Sequence, residues 1–199
     1  MRFHLGSSLW VSLVVVISGC KKGCDTDAVP QYPLTDGQRA WSVPYSKDAV
    51  LRFRNASTGY VRSYRVTTAE NKMDGVSSRY QVCPQYYREY SWHLLERSDS
   101  TGNSENKELK FWVSTAGPTR VQATFAIGST TVEVPLQEIE DETQILSPAT
   151  FAGHTYPAVW GGTSSTLSSG SQVVVMLYLT KADGLIRFEE RGGMVWERL

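Results

Sequence analysis

The last 28 residues, QVVVMLYLTKADGLIRFEERGGMVWERL (Gln172–Leu199), indicate the fold class of this chain. The run Gln172–Thr180 is apolar on both faces, which is typical of a strand that is covered on both sides. The dipeptide Asp183-Gly184 is a strong hairpin signal, and Arg191–Gly193 (RGG) supplies a second turn. This segment therefore predicts a three-stranded antiparallel meander built from neighbouring hairpins.

Similar strand-like runs recur upstream. Ala49–Asn55 alternates between two faces, and the turn sequence ASTG leads from it into Tyr60–Thr68, so these runs predict a hairpin. More runs follow at Arg79–Arg97 (broken at Pro84), Lys107–Thr115, Thr119–Ile127 and Thr130–Leu136. We therefore predict an all-β domain of about eight to ten strands, an antiparallel and strongly curved sheet that forms an up-and-down barrel or a sandwich.

Two segments interrupt this pattern. Pro135–Pro148 has a proline at each end, as a short helix would, but its apolar stripe is incomplete after Ile139, so helix and loop both remain open. Gly161–Ser171 is rich in serine and glycine, and this composition predicts a flexible loop.

The N-terminus has the layout of a secretory signal. Met1–His4 is basic, and Leu5–Ile17 is apolar and uncharged. The apolar run would make about 20 Å of helix, which is too short for a hydrocarbon core of about 30 Å. The alternative is a buried N-terminal helix, which the small residues at the end of the run disfavour.

The end of this segment, Ile17-Ser18-Gly19-Cys20, resembles the lipobox of bacterial lipoproteins. The resemblance implies cleavage before Cys20 and acylation of its thiol and of the new amino group. Two or more acyl chains anchor a protein stably to a membrane. Residues 21–34 contain two prolines and no periodic pattern. The predicted organisation is a signal peptide (1–19), an acylated tether (20–34) and a single all-β domain (35–199).

A second resemblance concerns the setting of the protein. PLTDGQRAW (Pro33–Trp41) and the C-terminal segment YLTKADGLIRFEERGGMVWERL (Tyr178–Leu199) resemble small envelope lipoproteins of the Bacteroidota that have no characterised activity. The residue directly after Cys20 is Lys21, whereas an aspartate at this position retains many lipoproteins in the inner membrane. The resemblance therefore implies a lipid-anchored protein of the cell envelope, in the outer membrane.

The remaining two cysteines suggest a disulfide. With Cys20 acylated, Cys24 and Cys83 are left, and an exported protein meets an oxidising compartment. A bridge between them would close a loop of about 60 residues and would contribute roughly 4 kcal/mol in the chain-entropy model. The alternative is two unpaired thiols, with Cys83 buried as a small apolar residue.

Neither charge nor motifs indicate catalysis. The chain has 20 basic and 20 acidic side chains, and removal of Arg2 with the leader leaves a near-neutral protein, which argues against a nucleic-acid partner. His93 and His154 are far apart, and there is no HExxH, CxxC, GxSxG or phosphate-loop motif. We therefore predict no catalytic residue, no metal site and no cofactor.

Two features suggest recognition or modification. Alternation on a strand would place Tyr86, Arg88, Tyr90 and Trp92 on one face, which could stack on a sugar or an aromatic ligand; cross-strand packing is the alternative. Asp99-Ser100-Thr101 resembles the short O-glycosylation signal of Bacteroidota, which makes Ser100 a candidate acceptor.

The sequence thus favours a membrane-anchored envelope lipoprotein with a non-catalytic β domain, a structural or interaction module with a protein or glycan partner. The alternative is a domain that binds a small or amphipathic ligand in a barrel cavity. A glycan-acting hydrolase, with two carboxylates across a cleft, is less favoured. An interaction module predicts a filled core and an exposed apolar patch, whereas a carrier predicts a lined cavity.

Overall fold

The computed structural model describes Cys24, residues 28–164 and residues 169–199. Two short helices and a 3₁₀ turn accompany the strands: α1 (Asp36–Ala40), α2 (Leu136–Glu140) and the turn Val43–Tyr45. The described strands are β1 (Gln31–Tyr32), β2 (Val50–Asn55), β3 (Val61–Val76), β4 (Tyr86–Arg97), β5 (Glu108–Thr115), β6 (Val121–Ile127), β7 (Thr130–Val134), β8 (Ser147–Phe151), β9 (His154–Thr163), β10 (Val174–Thr180), β11 (Gly184–Glu190) and β12 (Val195–Arg198).

Eleven of these strands form one antiparallel, curled sheet. Their order is β7-β6-β5-β4-β3-β2-β12-β11-β10-β9-β8, and the short β1 adds to β4 in parallel. The sheet consists of two meanders, β2–β7 and β8–β12, which the pairing of β2 with β12 joins into a half-barrel. The predicted all-β class and the strongly curved antiparallel sheet are confirmed, with more strands than the sequence indicated.

The predicted hairpins are present with the expected faces. In β2, Leu51 and Phe53 are buried while Val50 is exposed, as alternation requires. At the turn between β10 and β11, Gly184 has a φ of +69°, a conformation that favours glycine. Between the bracketing prolines, α2 ends at Glu140 and β8 begins at Ser147, so the segment contains a helix of only five residues.

Aromatic side chains fill the interior of the half-barrel. Trp41 from the end of α1 and Tyr45 from the 3₁₀ turn close one end, and each is 1% exposed. The Tyr45 ring lies 4.9 Å from Phe111, and Phe53 lies 5.2 Å from Phe188 in an edge-on contact. The described interior is therefore a packed core.

The segment before α1 is part of the folded domain. The sequence predicts a tether over residues 20–34, whereas in the structure β1 pairs with β4 and Leu34 is 2% exposed. The buried Glu89 carboxylate on β4 accepts hydrogen bonds from Arg39 Nε and Nη2 at 2.8 and 2.7 Å and from the Leu34 N–H at 2.8 Å. Hydrogen bonds from Arg39 outweigh burial and lower the pKa of Glu89. The Glu89 carboxylate therefore attaches the N-terminal segment to the sheet together with the pairing of β1 with β4.

The end of the β8–β9 hairpin contacts side chains of β10, β11 and β12 outside the main core. The Phe151 ring lies 5.1 Å from that of Tyr178, and the Arg187 guanidinium lies 4.8 Å from the Phe151 ring centre. At the hairpin turn, the Ala152 N–H donates to Glu197 on β12 at 3.1 Å. A second, smaller apolar cluster therefore forms outside the main core, around Tyr156, Val159 and Ile186.

Candidate functional site

An open apolar pocket lies at the end of the half-barrel where α2 is located. We call it the α2 pocket, and its volume is about 600 Å³. Its polar groups come from α2, from the chain that follows α2 and from the β10–β11 turn. Its apolar wall consists of Trp41, Ile139, Ile145, Leu146, Pro157 and Ala158. A concave apolar site with a few convergent polar groups is the usual form of a ligand pocket.

A reversal of the chain after α2 shapes one wall. Glu142 has a φ of +58°, and the N–H groups of Thr143 and Gln144 both donate to the Glu138 carbonyl at 2.9 Å. Ile145 and Leu146, which follow the reversal, form part of the pocket wall. Leu146 packs against the core, whereas Ile145 is 81% exposed. An aliphatic side chain with that exposure beside an apolar pocket extends the surface available to a ligand.

A single carboxylate organises the polar side of the α2 pocket. Glu140 Oε1 accepts from Trp41 Nε1 at 2.8 Å and from Lys181 Nζ at 2.9 Å, and Oε2 also lies 2.9 Å from Lys181 Nζ. Lys181 is therefore neutralised by Glu140. Glu142 and Asp183 add two more carboxylates to the lining, so acidic groups exceed basic ones. The pocket favours an apolar group that is neutral or positively charged.

The predicted aromatic face exists, as a packed ladder. Tyr86, Arg88, Tyr90 and Trp92 are each half-buried, and from Arg88 onward they alternate with the buried residues of β4. The Tyr90 and Trp92 rings stack at 6.2 Å with 14° between their planes. Trp92 also lies 5.5 Å from Trp112 on β5. These contacts show cross-strand packing, and stacking on a ligand stays a prediction.

The structure brings Cys24 and Cys83 together in a disulfide with Cα atoms 5.5 Å apart. Cys20 lies outside the described residues. Ser100 is exposed in the loop between β4 and β5, where its hydroxyl accepts from the Gly102 N–H at 3.2 Å. Its exposure is compatible with modification, and glycosylation stays a prediction.

Both ring nitrogens of the buried His93 have hydrogen-bond partners. His93 is buried, with Nδ1 2.8 Å from the Tyr45 carbonyl and Nε2 2.9 Å from the Ser91 hydroxyl. Burial lowers the pKa of His93. In the described part of the chain, no three His, Cys, Asp or Glu side chains form a group that could hold a metal ion. No helix there is long and apolar enough to cross a membrane.

Asp99 organises the loop that carries Ser100. Its carboxylate accepts from Arg97 Nη2 at 2.9 Å, from the Ser63 N–H at 2.8 Å and from the Tyr60 hydroxyl at 2.7 Å. Burial alone would raise the pKa of Asp99, but these hydrogen bonds outweigh it and lower the pKa to about 2. The network connects this loop to the start of β3.

The Asp99 network should make stability depend on acid pH. An unfolded aspartate has a pKa of about 3.9, so the native state favours the ionised form. This stabilisation is present above the unfolded pKa and is lost as the pH falls through about 2. We expect Asp99→Asn to cost about 1–2 kcal/mol at pH 7 and to flatten the decline in unfolding free energy between about pH 5 and pH 2. Urea denaturation at a series of pH values measures this.

The matched control is Asp48→Asn, because the Asp48 side chain is 68% exposed and its carboxylate lies as far as 3.9 Å from the Arg65 guanidinium. A surface pair of this kind contributes about 0–1 kcal/mol. Equal pH profiles for the two variants would contradict the role given to Asp99.

The sequence did not reveal the α2 pocket. Its lining comes from Trp41 directly after α1, from α2 and the chain that follows it, from β9 and from the end of β10 with the β10–β11 turn, which are remote along the chain. The one local signal is Ile145-Leu146, an apolar pair directly after the polar run Glu140–Gln144. A scan against protein-family models and searches of the curated proteins and of the solved structures found no match for this chain.

Proposed function

We propose that this chain is a lipid-anchored protein of the cell envelope whose half-barrel acts by binding rather than by catalysis. The observation that carries the proposal is the α2 pocket, an apolar opening of about 600 Å³ beside the 81% exposed Ile145. The acylated residue is Cys20, and the outer membrane is the compartment that the sequence favours.

Three features support a binding role. The core is filled, with Trp41, Tyr45 and Phe53 all at most 1% exposed, so the domain is a rigid scaffold. The α2 pocket is preformed, because the Glu140–Lys181 pair and the reversal at Glu142 fix its wall. Its size matches the pockets that hold small molecules or a single large side chain. The occupant that fits this lining is a neutral or cationic apolar group.

Filling the pocket tests the proposal. Ala158 is half-buried in the pocket wall, and Ala158→Trp would place an indole against the apolar wall where a ligand would pack. The control is Ala116→Trp, because Ala116 is also half-buried but lies in the β5–β6 turn, outside the pocket. The measurements are native mass spectrometry of protein purified gently from its own envelope, and titration with a neutral, polarity-sensitive dye.

We expect wild type and Ala116→Trp to carry an added mass or to shift the dye emission to shorter wavelength. Ala158→Trp should weaken dye binding at least about tenfold, which corresponds to about 1.4 kcal/mol, with an unchanged melting temperature. A bare wild-type mass together with no dye response would contradict a binding role for the pocket. Equal dye binding by Ala158→Trp and wild type would do the same.

A further inference from the structure

The loop between β3 and β4 exposes two apolar side chains. We call residues 77–85 (SSRYQVCPQ) the tip loop. Tyr80 is 90% exposed and Val82 is 96% exposed, the highest values among the large hydrophobic residues of the described chain. The tip loop follows the 16-residue strand β3, the longest described strand. Because these apolar side chains at the end of a hairpin do not pack in the core, their exposure indicates an interaction site.

The disulfide places this loop next to the lipid anchor. Cys83 in the tip loop is joined to Cys24, and their Cα atoms are 5.5 Å apart. Cys24 follows Cys20 by four residues, which span at most about 14 Å. The acylated residue is therefore within about 20 Å of the tip loop. Without the disulfide, the first fixed point would be β1 at Gln31, and eleven residues could span about 40 Å.

The chemistry of the tip loop suits a bilayer surface. The loop contains Arg79 and no carboxylate, and the anchor segment contributes Lys21 and Lys22. Basic side chains are attracted to anionic headgroups at about 1 kcal/mol each, and tyrosine is enriched at membrane interfaces because its ring is apolar and its hydroxyl is polar. The carboxylate that precedes the loop most closely in sequence, Asp74, faces Arg88 at 3.8 Å in an ion pair, and Asp25 and Asp27 follow Cys24 along the chain.

We propose that the tip loop is a membrane-contact surface, in which Tyr80 and Val82 lie in the headgroup region of the bilayer that holds the acylated Cys20. This rests on the acylation in the proposed function. The disulfide shortens the connection between the acylated residue and the domain from eleven residues to four, so the half-barrel is oriented on the membrane by two attachments, the acyl chains and the tip loop.

Photolabelling from the bilayer tests this contact. The full-length protein, processed and acylated in cells, is reconstituted into vesicles that contain a phospholipid with a diazirine near its headgroup. Mass spectrometry then maps the labelled residues. We expect labels on Tyr80 and Val82 and none on Tyr60, which is 49% exposed but lies at the other end of β3, roughly 50 Å along the strand.

Two insertion variants show whether the short connection matters and leave the disulfide intact. A flexible spacer of about seven Gly/Ser residues between Lys22 and Gly23 lengthens the connection from four residues to about eleven. The local concentration of a tethered group falls roughly as the −3/2 power of tether length, so labelling of the tip loop should fall about fivefold. The same spacer between Asp27 and Ala28 is the control, because it leaves the connection between Cys20 and the tip loop unchanged.

The outcomes separate the two proposals. The first measurements are flotation of the protein with the vesicles and the mass of the Cys20 peptide. A protein that is unacylated and does not float overturns both the lipid anchor and the membrane contact. Flotation with no more labelling at the tip loop than at Tyr60 overturns the membrane contact alone. Equal labelling with both insertions overturns the part assigned to the short connection.

Discussion

Truncation of Tyr45 to alanine should lower the free energy of unfolding by about 3–5 kcal/mol. The side chain is 1% exposed, and its ring lies 4.9 Å from Phe111 and 6.2 Å from Phe125. Its hydroxyl accepts a hydrogen bond from the buried Leu185 N–H at 2.8 Å. Alanine would leave a large cavity and an unpaired N–H group at the closed end of the half-barrel. Urea denaturation followed by far-UV circular dichroism measures the change.

Two companion variants separate the contributions of the ring and the hydroxyl. Tyr45→Phe keeps the ring and removes the acceptor of the Leu185 N–H, so it should cost about 1–3 kcal/mol. Val43→Ala is the control in the same 3₁₀ turn, because Val43 is 70% exposed, and it should change stability by no more than about 0.5 kcal/mol. If Tyr45→Ala were no more destabilising than Val43→Ala, the turn would not close the core.

The fold class could be predicted because local signals dominate the second meander. The dipeptide Asp183-Gly184 forms the predicted turn, and the turn at Arg191–Gly193 returns the chain into β12. Gly184 also shows why a glycine is needed there. Besides its φ of +69°, a Cβ at this position would lie 2.5 Å from the Tyr45 hydroxyl. The backbone conformation of the turn and the close contact with Tyr45 therefore both require glycine at position 184.

The parts that could not be predicted depend on contacts between remote residues. The Glu89 carboxylate accepts hydrogen bonds from Leu34 and Arg39, which are 55 and 50 residues away in sequence. No local sequence pattern predicts such contacts. The same is true of the α2 pocket, where Trp41 and Glu140 are 99 residues apart. Spacing alone also left the pairing of Cys24 with Cys83 open, because it depends on where the β3–β4 hairpin ends. The alternation of apolar and polar residues within a few positions predicts strands, whereas the sites depend on contacts between side chains that are remote in the sequence.

The two proposed surfaces lie at the same end of the half-barrel. In an antiparallel meander, alternate strands run in the same direction, so β3 and β7 both end at this side. The tip loop follows β3, and α2 follows β7. If the tip loop contacts the bilayer, the α2 pocket opens at the membrane-facing end of the domain. An apolar ligand could then reach the pocket from the membrane surface without crossing the domain.

Replacement of Cys20 by alanine should abolish acylation and leave residues 1–19 attached. The modification requires a thiol at this position, and no other residue of the predicted lipobox has one. The domain should still fold, because the described hydrophobic core begins at Leu34. The measurements are incorporation of labelled palmitate, the mass of the N-terminal peptide and thermal unfolding. Lys22→Ala is the control, since it removes one charge next to the anchor and should retain full acylation. Incorporation of label by Cys20→Ala, or its absence from wild type, would contradict the lipid anchor and with it the orientation of the domain on the membrane.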